Sequence, residues 1–402
     1  MRKSGYTRHT THYGYDYDFY YNMVTTENII KTQMQIVCSK AELLKGIQIV
    51  QSAVSSKSTL PVLTNILIET KTNQLKLAAT DLEVGVRCFI KAEVVKEGAL
   101  TVPAKTFSDF VKTLPDNQEI KITTEDATRM DVRSGKTRCV LLGLPKEDFP
   151  VLPEFPEDNS VAMEAKTLLE MIRKTSFAAS TDETRYILNG VYFILDKGIA
   201  RMVATDGRRL SYMARPVQEK KTNVSVIIPS KAIREVERLL VTEGLGADVV
   251  KISVTENQVA FKLLDTVVIS RLIDGHFPNY DQVIPKSAEI RVQLAAKDLL
   301  MMTQRAALGS GDRGGAVRFI LEKGRLRATG SAQGRVEVED ELPVDYAGAT
   351  LEIAFNPQFV VDVLKNGDAS QVWLELTTSL NPGVIRPVGD DQMLSVIMPM
   401  RV

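Results

Sequence analysis

The chain has 402 residues, 44% of them apolar, with 50 lysines and arginines balanced by 50 aspartates and glutamates. That length predicts two or three domains, each able to bury its own core, and no apolar run is long enough for a membrane-spanning helix. Zero net charge excludes a uniformly basic nucleic-acid binder but leaves room for a locally basic face.

Three cysteines, Cys38, Cys88 and Cys139, lie far apart with no CxxC pair. They read as free, mostly buried thiols of a cytoplasmic protein, not as a disulfide framework or zinc site. Residues 1–33 stand apart. They hold six of the eleven tyrosines and two of the three histidines, His9 and His12, in no helical or strand period. They lack the apolar stretch and cleavage site of a signal peptide. A flexible, dispensable extension is expected there, with the folded chain restarting at Met34 in "MQIVCSKAELL".

From Met34 onward the chain repeats. "SKAELLKGIQIV" from Ser39, "AKTLLEMIRKTS" from Ala165 and "AKDLLMMTQRAA" from Ala296 each follow a short alternating strand and carry apolar residues at helical spacing. "LKLAATDLEVGV", "ARMVATDGRRLSY" and "GRLRATGSAQGRVEV" each run strand, tight turn, strand. "LTVPAKTFSDFVKTL", "VIIPSKAIREVERLL" and "EIAFNPQFVVDVLKN" each run strand, proline, helix, with Pro103, Pro229 and Pro357 in the first helical turn, where proline costs no hydrogen bond. All three anchors give one period of about 125 residues. The fold class is therefore α+β, as three tandem copies of one domain with two helices and roughly eight strands each. Borders are expected at 34–156, 157–285 and 286–402. The apolar terminus "LSVIMPMRV" becomes the last strand of the third copy.

Chemistry is sparse. There is no GxSxG elbow, HExxH, phosphate-binding GxxxxGK[ST] or helix-opening GxGxxG. His276 reads as structural, and Asp390-Asp391 as a turn. No catalysis, cofactor or metal is expected. "TDGRRL", Thr205 to Leu210, is a turn whose paired arginines mark a candidate site. The predicted helices sum to about +6 in a neutral chain, so a shared helix face would be basic and the remainder acidic.

These residues resemble the bacterial sliding clamp family, the β subunit of DNA polymerase III, over everything from Met34 to the end. The markers are "TLPVLTNILIE", "TVPAKTF", "RYILNGVYF", "ATDGRRL", "GHFPNYDQVIP", "NPQFVVDVL" and "MPMR". The resemblance implies a head-to-tail homodimeric ring of six domains, with helices lining a hole for double-stranded DNA. It implies a pocket for short peptides of the DNA polymerase III catalytic subunit, the clamp loader and other clamp-binding-motif proteins. The matching pocket positions are Leu188, Thr205, Gly207, Arg208, Arg209, Leu210, Pro278, Val283, Val396, Met398, Pro399, Met400 and Arg401. Leu188 and Val283 are expected as floor, and the terminal methionines and the "TDGRRL" turn as walls. Gln282 stands where some relatives carry a basic residue. DNA-binding candidates are Lys57, Lys105, Lys166, Arg173, Tyr186, Lys231 and Lys297. Dimer-edge candidates are Cys139 and Leu141 on one side and Leu308 on the other. The competing reading is a clamp-like paralogue that binds proteins as an adaptor without encircling DNA.

Overall fold

The computed structural model describes residues 33–55, 58–217, 223–242, 248–311, 315–332 and 336–401. Lys57 and residues 1–32 of the tyrosine-rich stretch lie outside the described residues. The described residues form two compact units, one of residues 33–81 and 87–151, the other of 82–86 and 152–401. The first holds nearly all of the first repeat, and the second holds the other two.

Each repeat contributes two α-helices among the described residues: α1 (Lys40–Gln51) and α2 (Ala104–Thr113), α3 (Ala165–Thr175) and α4 (Ser230–Thr242), α5 (Ala296–Gly309) and α6 (Pro357–Asn366). Each starts directly, or one residue, after a strand, and two have side-chain caps. Ser39 Oγ accepts from the Glu42 amide at 3.2 Å, and Asn356 Oδ1 from the Gln358 amide at 2.9 Å. Pro357 opens α6 as its first helical residue, as expected. Pro103 and Pro229 sit one residue earlier and end their strands, paired with Asn65 and Gly190. Proline's fixed φ suits an extended residue just before a helix as well as one inside its first turn. The helices are amphipathic: α4 buries Ala232, Ile233, Val236, Leu239 and Leu240 at three- and four-residue spacing.

In the first unit, a five-stranded antiparallel sheet runs in the order Glu93–Lys96, Gln35–Ser39, Glu119–Thr124, Arg129–Ser134, Thr137–Leu142. Its last strand is an edge, with Leu141 facing the core at 5% exposure and Leu142 facing out at 70%. Leu141, the expected edge contact, is thus buried within the single chain. Strand alternation sends neighbouring side chains to opposite faces, so Leu142 is the more exposed of the two in the single chain.

In the second unit, eight antiparallel strands form one sheet, four from each repeat. The seam joins Arg209–Pro216 to Met393–Ile397, in register from Arg209 opposite Ile397 to Met213 opposite Met393. The terminal strand is thus paired on both sides, since Gly383–Pro387 takes its other edge. Ser211 and Ser395 hydroxyls meet across the seam at 3.0 Å, and Ser211 also donates to the Lys174 carbonyl at 2.6 Å. Beside them Arg215 pairs with Asp390 at 2.6 Å and Glu170 at 3.1 Å, and Lys174 with Glu170 at 2.7 Å. A separate four-stranded sheet ends in the edge strand Val336–Pro343. The third repeat's core packs Leu299, Met302, Phe319 and Phe355 between its helices and sheets.

Candidate functional site

The turn between strands Ile199–Thr205 and Arg209–Pro216 is fixed by its own polar atoms. Thr205 Oγ1 accepts from the Gly207 amide at 3.0 Å and donates to the Arg209 carbonyl at 2.6 Å. Asp206 Oδ1 accepts from the amides of Arg208 and Arg209 at 2.8 and 3.0 Å. Gly207 has φ +84°, a conformation costly for any side chain with a Cβ. Arg209 points inward, with its side chain only 12% exposed. Its guanidinium meets Asp206 at 3.1 Å, Asp362 of α6 at 2.5 Å and the Phe177 carbonyl at 2.8 Å. It lies over the Phe177 and Phe359 rings, 5.6 and 4.6 Å from their centroids.

This turn walls a cleft of ≈ 210 Å³ lined by Leu188, Thr205, Gly207, Arg209, Leu210, Phe277, Pro278, Asn279, Tyr280, Gln282, Val283 and Met398. Beneath it lie Val203, Leu210, Val384, Leu394 and Val396, from both repeats, packed against Tyr192, Tyr212, Phe277 and Tyr280. Tyr192 stacks on Phe277 with centroids 4.8 Å apart, and Tyr212 and Tyr280 lie 5.9 Å apart. Burial, then the neighbouring Asp281 charge, pushes the Tyr280 hydroxyl up to about 12, so it remains a neutral donor. The lining offers apolar surface and a few polar atoms but no paired acid and base. Among the described residues no cluster of His, Cys, Asp or Glu is arranged to hold a metal ion.

Eight of the thirteen pocket candidates converge here: Leu188, Thr205, Gly207, Arg209, Leu210, Pro278, Val283 and Met398. Val396 is fully buried below the cleft. Arg208 is exposed, and its carbonyl accepts from the Met398 amide at 2.9 Å. Pro399, Met400 and Arg401 run past the lining, where the Met400 amide donates to the Ala354 carbonyl at 2.8 Å. Phe277, Asn279 and Tyr280 were not among the candidates. The aromatic spacing in "GHFPNYDQVIP" was the available signal, but only the fold brings it opposite the turn.

The basic candidates are exposed. Lys105 is on α2, Lys166 and Arg173 are on α3, Lys231 on α4 and Lys297 on α5. Lys166 and Arg173, seven residues apart, share one face of α3. Arg173 is paired with Glu237 at 3.2 Å, and Lys231 with Glu83 at 3.3 Å. Tyr186, 58% exposed, and Lys231 border one open depression with Arg234 and Arg271. Leu308 stands at the end of α5 with 75% exposure, and Cys139 is half-buried, its thiol raised by burial and then by Asp131. No helix among the described residues is long and apolar enough to cross a membrane.

Family models agree with the repeat. The N-terminal, central and C-terminal domains of the DNA polymerase III beta subunit match residues 34–153, 162–279 and 281–401. The chain is similar to a beta sliding clamp of Chlamydia pneumoniae, 35% identical over 92% of this chain and 99% of the relative. It is similar to one of Haemophilus influenzae, 34% identical over 92% and 100%. Among solved structures, a DnaN sliding clamp from Pseudomonas aeruginosa bound to griselimycin matches with TM-score 0.86 and 32% identity, over 92% of this chain and 100% of that one.

Proposed function

The chain belongs to the DNA polymerase III beta subunit family, the beta sliding clamps, and on that premise we propose that it encircles duplex DNA as a head-to-tail homodimer and tethers its clients through the cleft. The cleft carries this reading. It is small, apolar, walled by two repeats and empty of catalytic groups, which suits a linear peptide and not a reaction. Val283, Leu210, Met398 and the aromatic cluster offer seats for a leucine and a phenylalanine. Burying two such side chains contributes on the order of 1.5–3 kcal/mol each, and ordering the peptide offsets much of it. Affinity near micromolar, on the order of −8 kcal/mol, is the natural outcome. Weak contacts of that size let the polymerase catalytic subunit, the clamp loader and other motif-bearing proteins exchange on one clamp.

The ring reading rests on the two sheet edges. The strand Thr137–Leu142 carries Arg138 beside Arg129 and Arg133, while Val336–Pro343 carries Glu337, Glu339, Asp340 and Glu341. Arg133 and Arg138 share Asp131, and Glu339, Asp340 and Glu341 meet Arg327, Arg305 and Arg325, so the pairing of one open edge with the partner's other rests on their free backbone groups, and a rotation that closes gives a ring. Lys105, Lys166, Arg173, Lys231 and Lys297 then supply phosphate contacts, with Tyr186 beside them. Such contacts carry no sequence information, which is what sliding requires. The protein has no catalytic role in this scheme; topology replaces tight binding.

Titrating a fluorescent peptide of the Gln-x-x-Leu-Phe type tests the cleft. Saturable binding near micromolar, lost on scrambling the Leu and Phe, is expected. Absence of saturable binding would remove the tethering role.

A further inference from the structure

Arg209 joins two places that the cleft alone does not explain. Its backbone and side chain belong to the cleft wall, yet its guanidinium is held by Asp362 of α6, in the third repeat. Asp362 does not line the cleft. It is itself oriented, because its Oδ1 accepts from Gln358 Nε2 at 2.6 Å while Oδ2 takes Arg209 Nη1. Phe177 and Phe359, the rings beside the guanidinium, both pack against the third repeat's core. The Asp206 carboxylate binds the same guanidinium and two amides of the turn, so turn and guanidinium form one unit. The opposite wall hangs from this unit too, through the Met398 amide on the Arg208 carbonyl at 2.9 Å.

We propose that Asp362, acting through Arg209, is a positioning residue that sets the cleft and couples client binding to the junction of the second and third repeats. The inference rests on reading the cleft as a peptide seat. A planar guanidinium with three oxygen partners and two ring neighbours has one orientation. Losing the Asp362 carboxylate removes one of its two charge-assisted partners, the one on α6, and weakens the wall's anchor to that helix. Coupling of this kind is reciprocal: an occupied cleft holds the junction closed, and a loosened junction weakens the cleft.

The test titrates the Gln-x-x-Leu-Phe peptide against the full-length dimer and four variants. Asp362→Asn keeps the size of the side chain and the packing of α6. It should raise the peptide Kd roughly tenfold with the melting temperature little changed. Lys365→Ala, on the same helix but away from Arg209, should leave Kd unchanged. The double variant Arg209→Ala/Asp362→Asn should bind no more weakly than Arg209→Ala alone, since both act through one contact. A purely structural role for Asp362 predicts instead that the two losses multiply. Peptide affinity of Asp362→Asn within about twofold of the parent, or multiplying losses, overturns the coupling. Failure of the parent itself to bind overturns the peptide seat and this inference together. Binding by the parent with no effect of Asp362→Asn overturns this inference alone.

Discussion

Adjacent leucines on the strand Thr137–Leu142 differ sharply in burial, Leu141 at 5% and Leu142 at 70% exposure. Leu141 is buried, so Leu141→Asp places an unpaired carboxylate in the core of the first unit. A loss of at least about 3 kcal/mol is expected in chemical denaturation. Leu142→Asp should instead leave the melting temperature within a few degrees and yield monomers by light scattering. Dimers persisting at low concentration would place the interface elsewhere. A second residue-scale effect concerns the seam. Burial would raise the Glu170 and Asp390 carboxyls, but hydrogen bonds from Lys174 and Arg215 to the first, and from Arg215 to the second, outweigh it. They hold both below their ordinary values of 4.5 and 3.8. A carboxyl depressed in the folded state stabilises fully above its unfolded value, and that stabilisation fades as pH falls through the folded one. Stability should therefore decline below about pH 4.5, and Arg215→Met should flatten that decline. Identical pH profiles for both proteins would show that the network carries no linkage.

At the scale of elements, the terminus has two parts. Met393–Ile397 is a strand paired on both edges, while residues from Met398 onward continue beyond it. Deleting residues 398–402 should abolish peptide binding by removing Met398, with little effect on dimer mass. Deleting from Met393 should instead destabilise the second unit by opening its eight-stranded sheet. Equal peptide affinity in the shorter deletion would make the tail a closing strand only. The repeat unit and its helices were legible in the sequence because they rest on local signals, whereas the cleft positions were named only through the resemblance to the clamp family. Apolar spacing marked the helices, and paired arginines marked the "TDGRRL" turn as a candidate site. What stayed hidden was nonlocal. Nothing in "LSVIMPMRV" says that its partner is Arg209–Pro216, 184 residues away between Ser211 and Ser395. Nothing in "TRCVLL" alone says which leucine faces inward until the strand's partner fixes its register. The aromatic half of the cleft, Phe277 and Tyr280, needed the same tertiary information.

For the whole molecule, the balance of charge matters more than any one contact. Lys105, Lys166, Arg173 and Lys297 are exposed on three helices, and each phosphate they meet should add a similar increment to the salt dependence of DNA binding. Replacing all four with glutamate should make the slope of log K against log salt shallower by about three to four, while light scattering still reports a dimer. An unchanged slope would remove these helices from the DNA interface. The claim beneath all of this is topological, and one measurement meets it directly. The protein is loaded onto nicked circular plasmid with a clamp loader and ATP, then filtered in salt high enough to break charge contacts, before and after the plasmid is linearised. Encirclement predicts co-elution with the circle and loss from the linear form. Equal retention on both, or loss from both, would contradict it.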